Sequence, residues 1–259
     1  MYDREVISRS IVSPIGSGAT YEEVRDSIIE GFEQKVRSIV VAPFHVELLT
    51  ELAKKYDNGY TRKGMILNYP YGGFTTEYKV HLMEHAVKYG LDEVCLGVNI
   101  AAFLSGDIDT FKKDIQAVLD ASQGKVRVIA ITWAIRIPLE KLEQMIHILL
   151  DMGITCIKTS PGVRFGEMQV EHIQFIHRVF GDKVEIEVAG RVRTREKVEA
   201  MAAAGATSFH LGSAVWVVIW TLTGILRKTS RASMTDIKRS KVELLWGFGK
   251  ETCTISKVR

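Results

Sequence analysis

Three cysteines in 259 residues are too few to frame a fold with disulfides. Cys95, Cys156 and Cys253 are also far apart, odd in number and without C-x-x-C spacing, which speaks against a zinc ribbon and fits a reducing cytoplasm. Long apolar runs are missing too. The longest, Ala214 to Leu226, has 13 residues broken by Thr221, Thr223 and Gly224, short of the roughly 20 that cross a bilayer, so no membrane partner is expected. The opening residues Met1-Tyr2-Asp3-Arg4-Glu5-Val6 mix both signs where a signal peptide needs a cationic stretch and an apolar core. Nor is there a G-x-G-x-x-G or P-loop pattern: Gly16-Ser17-Gly18-Ala19-Thr20 reads as a turn before a helix. No cofactor is expected.

What is present is the composition of a globular protein, 46% hydrophobic and 25% charged, long enough for one large barrel or two small domains. The net charge of +3 is unevenly placed. Residues 227–259 hold nine Lys or Arg against three Asp or Glu, leaving 25 basic and 28 acidic residues in the first 226. The basic charges are scattered, and aromatics that could stack on bases are limited to Trp246 and Phe248. This extension therefore reads as solvated or as packing on a second subunit, more than as a nucleic-acid arm, whose phosphate contacts need a denser basic face.

Short β-branched runs alternate with amphipathic stretches. Strands are expected over 36–42, 65–69, 93–99, 126–132, 156–158, 184–188 and 208–211, with helices over 45–56, 75–89, 109–121, 139–152, 169–180 and 194–204, and an apolar stretch after Gly212. An opening strand over 6–12 and a helix beginning at Thr20, with Glu23 as its capping-box partner, complete eight strand–helix units. Eight units in about 250 residues is the size of an α/β fold of the single (β/α)8 TIM-barrel type, here residues 1–226, followed by the basic extension 227–259. A doubly wound open sheet is the rival, and it lacks its phosphate-cradling loop.

Active sites in such barrels gather at the C-terminal ends of the strands. Lys158, in Gly153-Ile-Thr-Cys-Ile-Lys-Thr-Ser-Pro-Gly162, is an amine at the end of a short apolar strand, where it can lose its proton and attack a carbonyl; the alternative is an ammonium reaching water. Other residues expected at strand ends are Cys95, Asn99, Thr132, Trp133, Thr159, Glu187, Gly190, Arg191, Gly212 and Ser213. His81-Leu-Met-Glu-His85 has the H-x-x-E-H spacing of some zinc proteases, but its helix would lie outside the barrel and no third ligand is apparent, so no metal is expected.

The chain resembles the class I deoxyribose-phosphate aldolases over residues 7 to 220. The resemblance rests on Tyr69-Pro-Tyr-Gly-Gly-Phe-Thr-Thr-Glu-Tyr-Lys79, Asp92-Glu-Val-Cys-Leu-Gly-Val-Asn-Ile-Ala-Ala-Phe-Leu-Ser-Gly-Asp107, Ile157-Lys-Thr-Ser-Pro-Gly162, Ala189-Gly-Arg-Val-Arg-Thr194, and Ala204-Gly-Ala-Thr207 leading to Gly212-Ser213. It implies a carbon–carbon lyase in which Lys158 forms a Schiff base with an aldehyde or ketone donor. A phosphorylated acceptor would then be held by Thr159, Gly162, Gly190, Arg191, Gly212 and Ser213, with Thr132 and Trp133 nearby.

The departures are as specific as the matches. Cys95 stands where the family has a proton-transferring aspartate, and Glu187 where it has a second lysine that depresses the reactive amine. Arg127 matches a lysine, Ile131 and Trp133 an acid and a glycine, Arg191 a glycine, Pro161 a threonine, and Ser8, in the opening strand, an aspartate; the C-terminal tyrosine of some members is not seen. Glu187 is the expected general acid or base if the barrel mouth raises its pKa toward neutrality, or else an inert ion-pair partner of Lys158. Cys95 is either a nucleophile or a small filler. Arg191 either clamps an anion or is a surface arginine. Ile131, Trp133, Phe74 and Phe103 suggest an apolar mouth, or packing under a loop. Two functions follow: a Schiff-base aldolase acting on a small aldehyde, ketone or sugar phosphate, or a catalytically silent barrel kept for binding.

Overall fold

The computed structural model describes residues 3–16, 18–162, 166–192 and 194–212. Ser213, the apolar stretch 214–226 and the extension 227–259 lie outside the described residues. Eight parallel strands close on themselves in chain order: β1 (Ser10–Val12), β2 (Ser38–Val41), β3 (Arg62–Ile66), β4 (Glu93–Gly97), β5 (Arg127–Ile131), β6 (Cys156–Lys158), β7 (Glu185–Val188) and β8 (Ser208–Gly212). Closure is made by β8 pairing with β1, with Ile11 opposite His210. The helices are α1 (Asp3–Ser8), α2 (Tyr21–Gln34), α3 (Val46–Tyr56), α4 (Thr76–Lys88), α5 (Ile100–Leu104), α6 (Ile108–Ser122), α7 (Leu139–Asp151), α8 (Val170–Phe180) and α9 (Arg195–Ala203). This is the (β/α)8 TIM barrel expected from the alternation. None of the described helices is long and apolar enough to cross a membrane.

Local chemistry explains most boundaries. Thr20 accepts from the Glu23 N–H while Glu23 accepts from the Thr20 N–H, which fixes the first turn of α2. Thr75, Asp107 and Thr194 cap α4, α6 and α9 through one bond each, their side chains accepting the N–H of Tyr78, Thr110 and Lys197. In α7, Leu142, Met145, Ile146 and Leu149 recur at helical spacing and are all buried against the barrel. Each strand turns alternate residues to opposite faces. Ile157, Ile186, Val188 and Phe209 pack outward under the helices, whereas Ile11, Val40, Ile66, Cys95, Ile129, Ile131 and Cys156 fill the barrel interior.

Two expected elements differ. The opening segment is not one strand over 6–12: its first part is α1, and Ser8 ends that helix, its hydroxyl donating to the Glu5 carbonyl. The third strand begins at Arg62, three residues before the apolar run, because its charged residues have partners at the N-terminal end of the barrel. Arg62 reaches Glu93 at 3.4 Å, and Lys63 reaches Asp57 at 3.3 Å and Asp92 at 3.1 Å. Beyond β3, the Asn68 side chain continues the ladder, donating to the Gly97 carbonyl at 2.8 Å and accepting its N–H at 2.7 Å.

Candidate active site

Lys158 is the last residue of β6 and points inward, two residues after the inward Cys156. Its cross-strand neighbour on β7 is Glu187, and Glu187 in turn pairs with Ser208 on β8, so that His210, two residues further on, faces the same interior. The three side chains meet. Lys158 Nζ lies 2.9 Å from His210 Nδ1, 3.4 Å from His210 Nε2 and 3.6 Å from Glu187 Oε1. His210 Nδ1 lies 3.1 Å from the same Oε1. Glu187 is fully buried and Lys158 is 1% exposed, while Glu187 Oε2 has no hydrogen-bond partner among the described residues.

Burial and charge act against each other here. Burial pushes the Glu187 carboxyl up, but the His210 hydrogen bond and the Lys158 and His210 charges overcome it and draw the group down to about 2. The expectation that the barrel mouth raises Glu187 toward neutrality is therefore reversed: Glu187 is a carboxylate with a cation beside it. For His210, burial and the nearby Lys158 charge take the imidazole down to about 4, against the pull of Glu187 in the other direction.

A cavity of about 200 Å³ opens at the C-terminal ends of β1, β7 and β8. Its walls include Ser13, Tyr69, Gly162, Gly190, Arg191, His210 and Gly212. Of these three side chains, His210 is the one that lines it. Arg191 is exposed and holds a left-handed φ of 54°, directly after Gly190 at φ 117°; a side chain at Gly190 would crowd Ile135 and the Met168 backbone as well. Ser13 is 7% exposed; its N–H donates to the Gly212 carbonyl at 2.5 Å, and its hydroxyl has no partner among the described residues.

The expected site residues divide accordingly. Lys158 and Glu187 come together, and Gly162, Gly190, Arg191 and Gly212 line the cavity beside them. Thr159, Thr132 and Trp133 do not line it. Thr159 is bound into the barrel wall, its hydroxyl donating to the Ala189 carbonyl and accepting the Ala189 N–H. Thr132 donates its N–H at 2.9 Å and its hydroxyl at 3.3 Å to the Lys158 carbonyl. Trp133 is buried at a left-handed φ of 58°, its carbonyl accepting the Arg136 N–H. Cys95 lies in the barrel interior at 1% exposure; burial holds its thiol well above the ordinary range, against the Lys158 charge, so it is neither a thiolate nucleophile nor an acid. Asn99 caps α5 through the Ala102 N–H. Phe103 packs against Phe111, with ring centroids 5.2 Å apart, not into the mouth. No group of three His, Cys, Asp or Glu that could hold a metal occurs among the described residues.

His210 is the residue that sequence reasoning misses. The available signal is the period of two along β8, which turns Ser208 and His210 to one face and Phe209 to the other.

The sequence matches no family model. It is 30% identical over 203 residues to the deoxyribose-phosphate aldolase of Bacillus cereus (strain AH187), covering 78% of this chain and 90% of that one. It is 28% identical over 200 residues to the deoxyribose-phosphate aldolase of Clostridium novyi (strain NT), covering 77% and 89%. The fold matches that of a tetrameric deoxyribose phosphate aldolase from Aeropyrum pernix with a TM-score of 0.77 at 19% identity, covering 87% of this chain and 94% of that one. By sequence likeness and by barrel architecture, the chain belongs to the deoxyribose-phosphate aldolase family.

Proposed function

We propose that this protein is a Schiff-base aldolase that makes or breaks a carbon–carbon bond through Lys158. The observation that carries the reading is the buried Lys158 amine at the C-terminal end of β6, held against His210 and Glu187 in a chain of this family. In cleavage the amine attacks the carbonyl of the β-hydroxy substrate and water leaves, giving an iminium whose positive charge accepts the electron pair of the cleaving carbon–carbon bond; in synthesis the iminium forms on the aldehyde or ketone donor and loses a proton to give the enamine. Glu187 sits within ion-pair distance of that nitrogen, and its fixed negative charge stabilises the iminium. The names of the relatives point to a phosphorylated sugar. The exposed Arg191 guanidinium beside the glycine turns at Gly190 and Gly212 supports an anionic group at the cavity rim, away from the amine. A cytoplasmic setting and self-association, as in the tetrameric relative, accompany this reading.

A second reading, a barrel retained for binding, is favoured by Cys95 in place of an acid and by the imidazole between the cavity and the amine. Cleavage of deoxyribose 5-phosphate, followed by coupled oxidation of the aldehyde products, separates the two. The wild-type protein is expected to cleave the sugar phosphate, Lys158→Met to show no cleavage, and Glu187→Gln to be slower by about 10²–10⁴-fold if the carboxylate assists the chemical step. Equal rates in wild type and Lys158→Met would exclude the aldolase reading.

A further inference from the structure

The family-like fold leaves a chemical gap in this chain. An aldolase must move protons to and from the bound substrate, yet Cys95 is a buried thiol and Glu187 is fully buried without lining the cavity. His210 is the side chain that touches the Lys158 amine, touches the Glu187 carboxylate and lines the cavity. We propose that His210 is the general acid–base of the reaction, carrying protons between Lys158 and the substrate bound to it, with Glu187 holding the imidazole in place. The assignment rests on the Schiff-base reading above.

The geometry of the shared nitrogen supports this. His210 Nδ1 is within hydrogen-bond distance of both Lys158 Nζ and Glu187 Oε1, and a ring nitrogen can accept from the first only when bare and donate to the second only when protonated. Moving one proton from the ammonium to Nδ1 exchanges the two arrangements: a free amine forms, and an imidazolium forms against the carboxylate. This step supplies the reactive amine that a depressed lysine pKa supplies in the pattern from which this chain departs. With Glu187 on Nδ1, Nε2 is left for the substrate; it lies 3.4 Å from Nζ, so atoms one or two bonds from a Schiff-base nitrogen fall within its reach.

The steps balance. The Lys158 nitrogen forms a bond to the carbonyl carbon while the carbonyl π pair takes a proton from the His210 imidazolium, giving a carbinolamine. The amine proton passes back to His210, which delivers it to the departing hydroxyl, so that water leaves and the iminium forms. In cleavage, neutral His210 takes the proton of the β-hydroxyl as the carbon–carbon bond breaks, its electron pair entering the iminium to give an enamine and the released aldehyde. His210 then returns that proton to the enamine carbon, and water hydrolyses the iminium. No oxidant or reductant is consumed.

Exchange of the methyl protons of acetaldehyde in D2O, followed by proton NMR, isolates the step assigned to His210. Borohydride trapping of the same samples reports Schiff-base formation. Wild type is expected to give an adduct on Lys158 and measurable exchange. His210→Gln and His210→Asn are both expected to form the Lys158 adduct more slowly than wild type, with exchange at saturating acetaldehyde slowed by about 10²–10⁴-fold. Exchange within about threefold of wild type in both folded variants would overturn the assignment. Absence of a wild-type adduct would overturn the Schiff-base reading and this assignment together.

Discussion

Lys158, Glu187 and His210 share one buried space, so the protonation of each depends on the others. At pH values above 6.5 the imidazole is neutral in both the folded and unfolded chain. As the pH falls from 6.5 to about 4, the unfolded chain takes up a proton that folded His210 refuses, and stability falls. Glu187, drawn from 4.5 to about 2, adds stability that is present above pH 4.5 and is lost as the pH falls toward 2. Urea unfolding across this range is therefore expected to show stability declining from pH 6.5 downward. His210→Gln is expected to be flatter between pH 6.5 and 4, and an unchanged slope in that variant would contradict the assignment of the upper step to His210. At this scale the sequence was partly legible. Lys158 and Glu187 declare themselves as charged residues in apolar strands; His210 is marked only by the period of two between Phe209 and Leu211, and it meets Lys158 through the pairing of β6 with β7 and β7 with β8.

Helices and strands carry their own tests. Thr20 and Glu23 are readable as a helix start because the capping box needs only local spacing; Thr20→Ala is expected to cost about 0.5–2 kcal/mol in denaturant melts. The Lys79–Asp114 pair between α4 and α6 is not readable locally. It joins residues 35 apart, at 2.6 Å and with 0% and 3% side-chain exposure, and Thr76 also donates to Asp114. Removing one partner strands a buried charge, so Lys79→Met is expected to lower stability by about 3–5 kcal/mol; a loss below 1 kcal/mol would show the pair to be dispensable. The same contrast explains β3, whose charged start is stabilised by Asp57, Asp92 and Glu93 across the barrel's N-terminal end, partners that a window on residues 65–69 cannot contain.

For the whole molecule, the alternation of strand and helix was enough to predict the barrel, because eight buried parallel strands of this size have few other ways to close. Closure also divides labour between the two ends. At the N-terminal end, Arg37 and Arg127 converge on Glu185 at 2.8 and 2.5 Å, an ion network that plugs the interior. At the C-terminal end, the interior changes from apolar residues to Lys158, Glu187 and His210 beneath the cavity. Which strand-end residues face that cavity was less legible, since Thr132 and Thr159 occupy the right ends but spend their hydroxyls on the barrel wall. The central claim is that Lys158 is a nucleophilic amine, and the most direct test is sodium borohydride reduction in the presence of acetaldehyde, with peptide mass spectrometry of the folded protein. One reduced adduct on Lys158, lost in Lys158→Met, is expected; an unmodified Lys158 at saturating aldehyde, or an adduct that persists elsewhere in the variant, would contradict a nucleophilic Lys158.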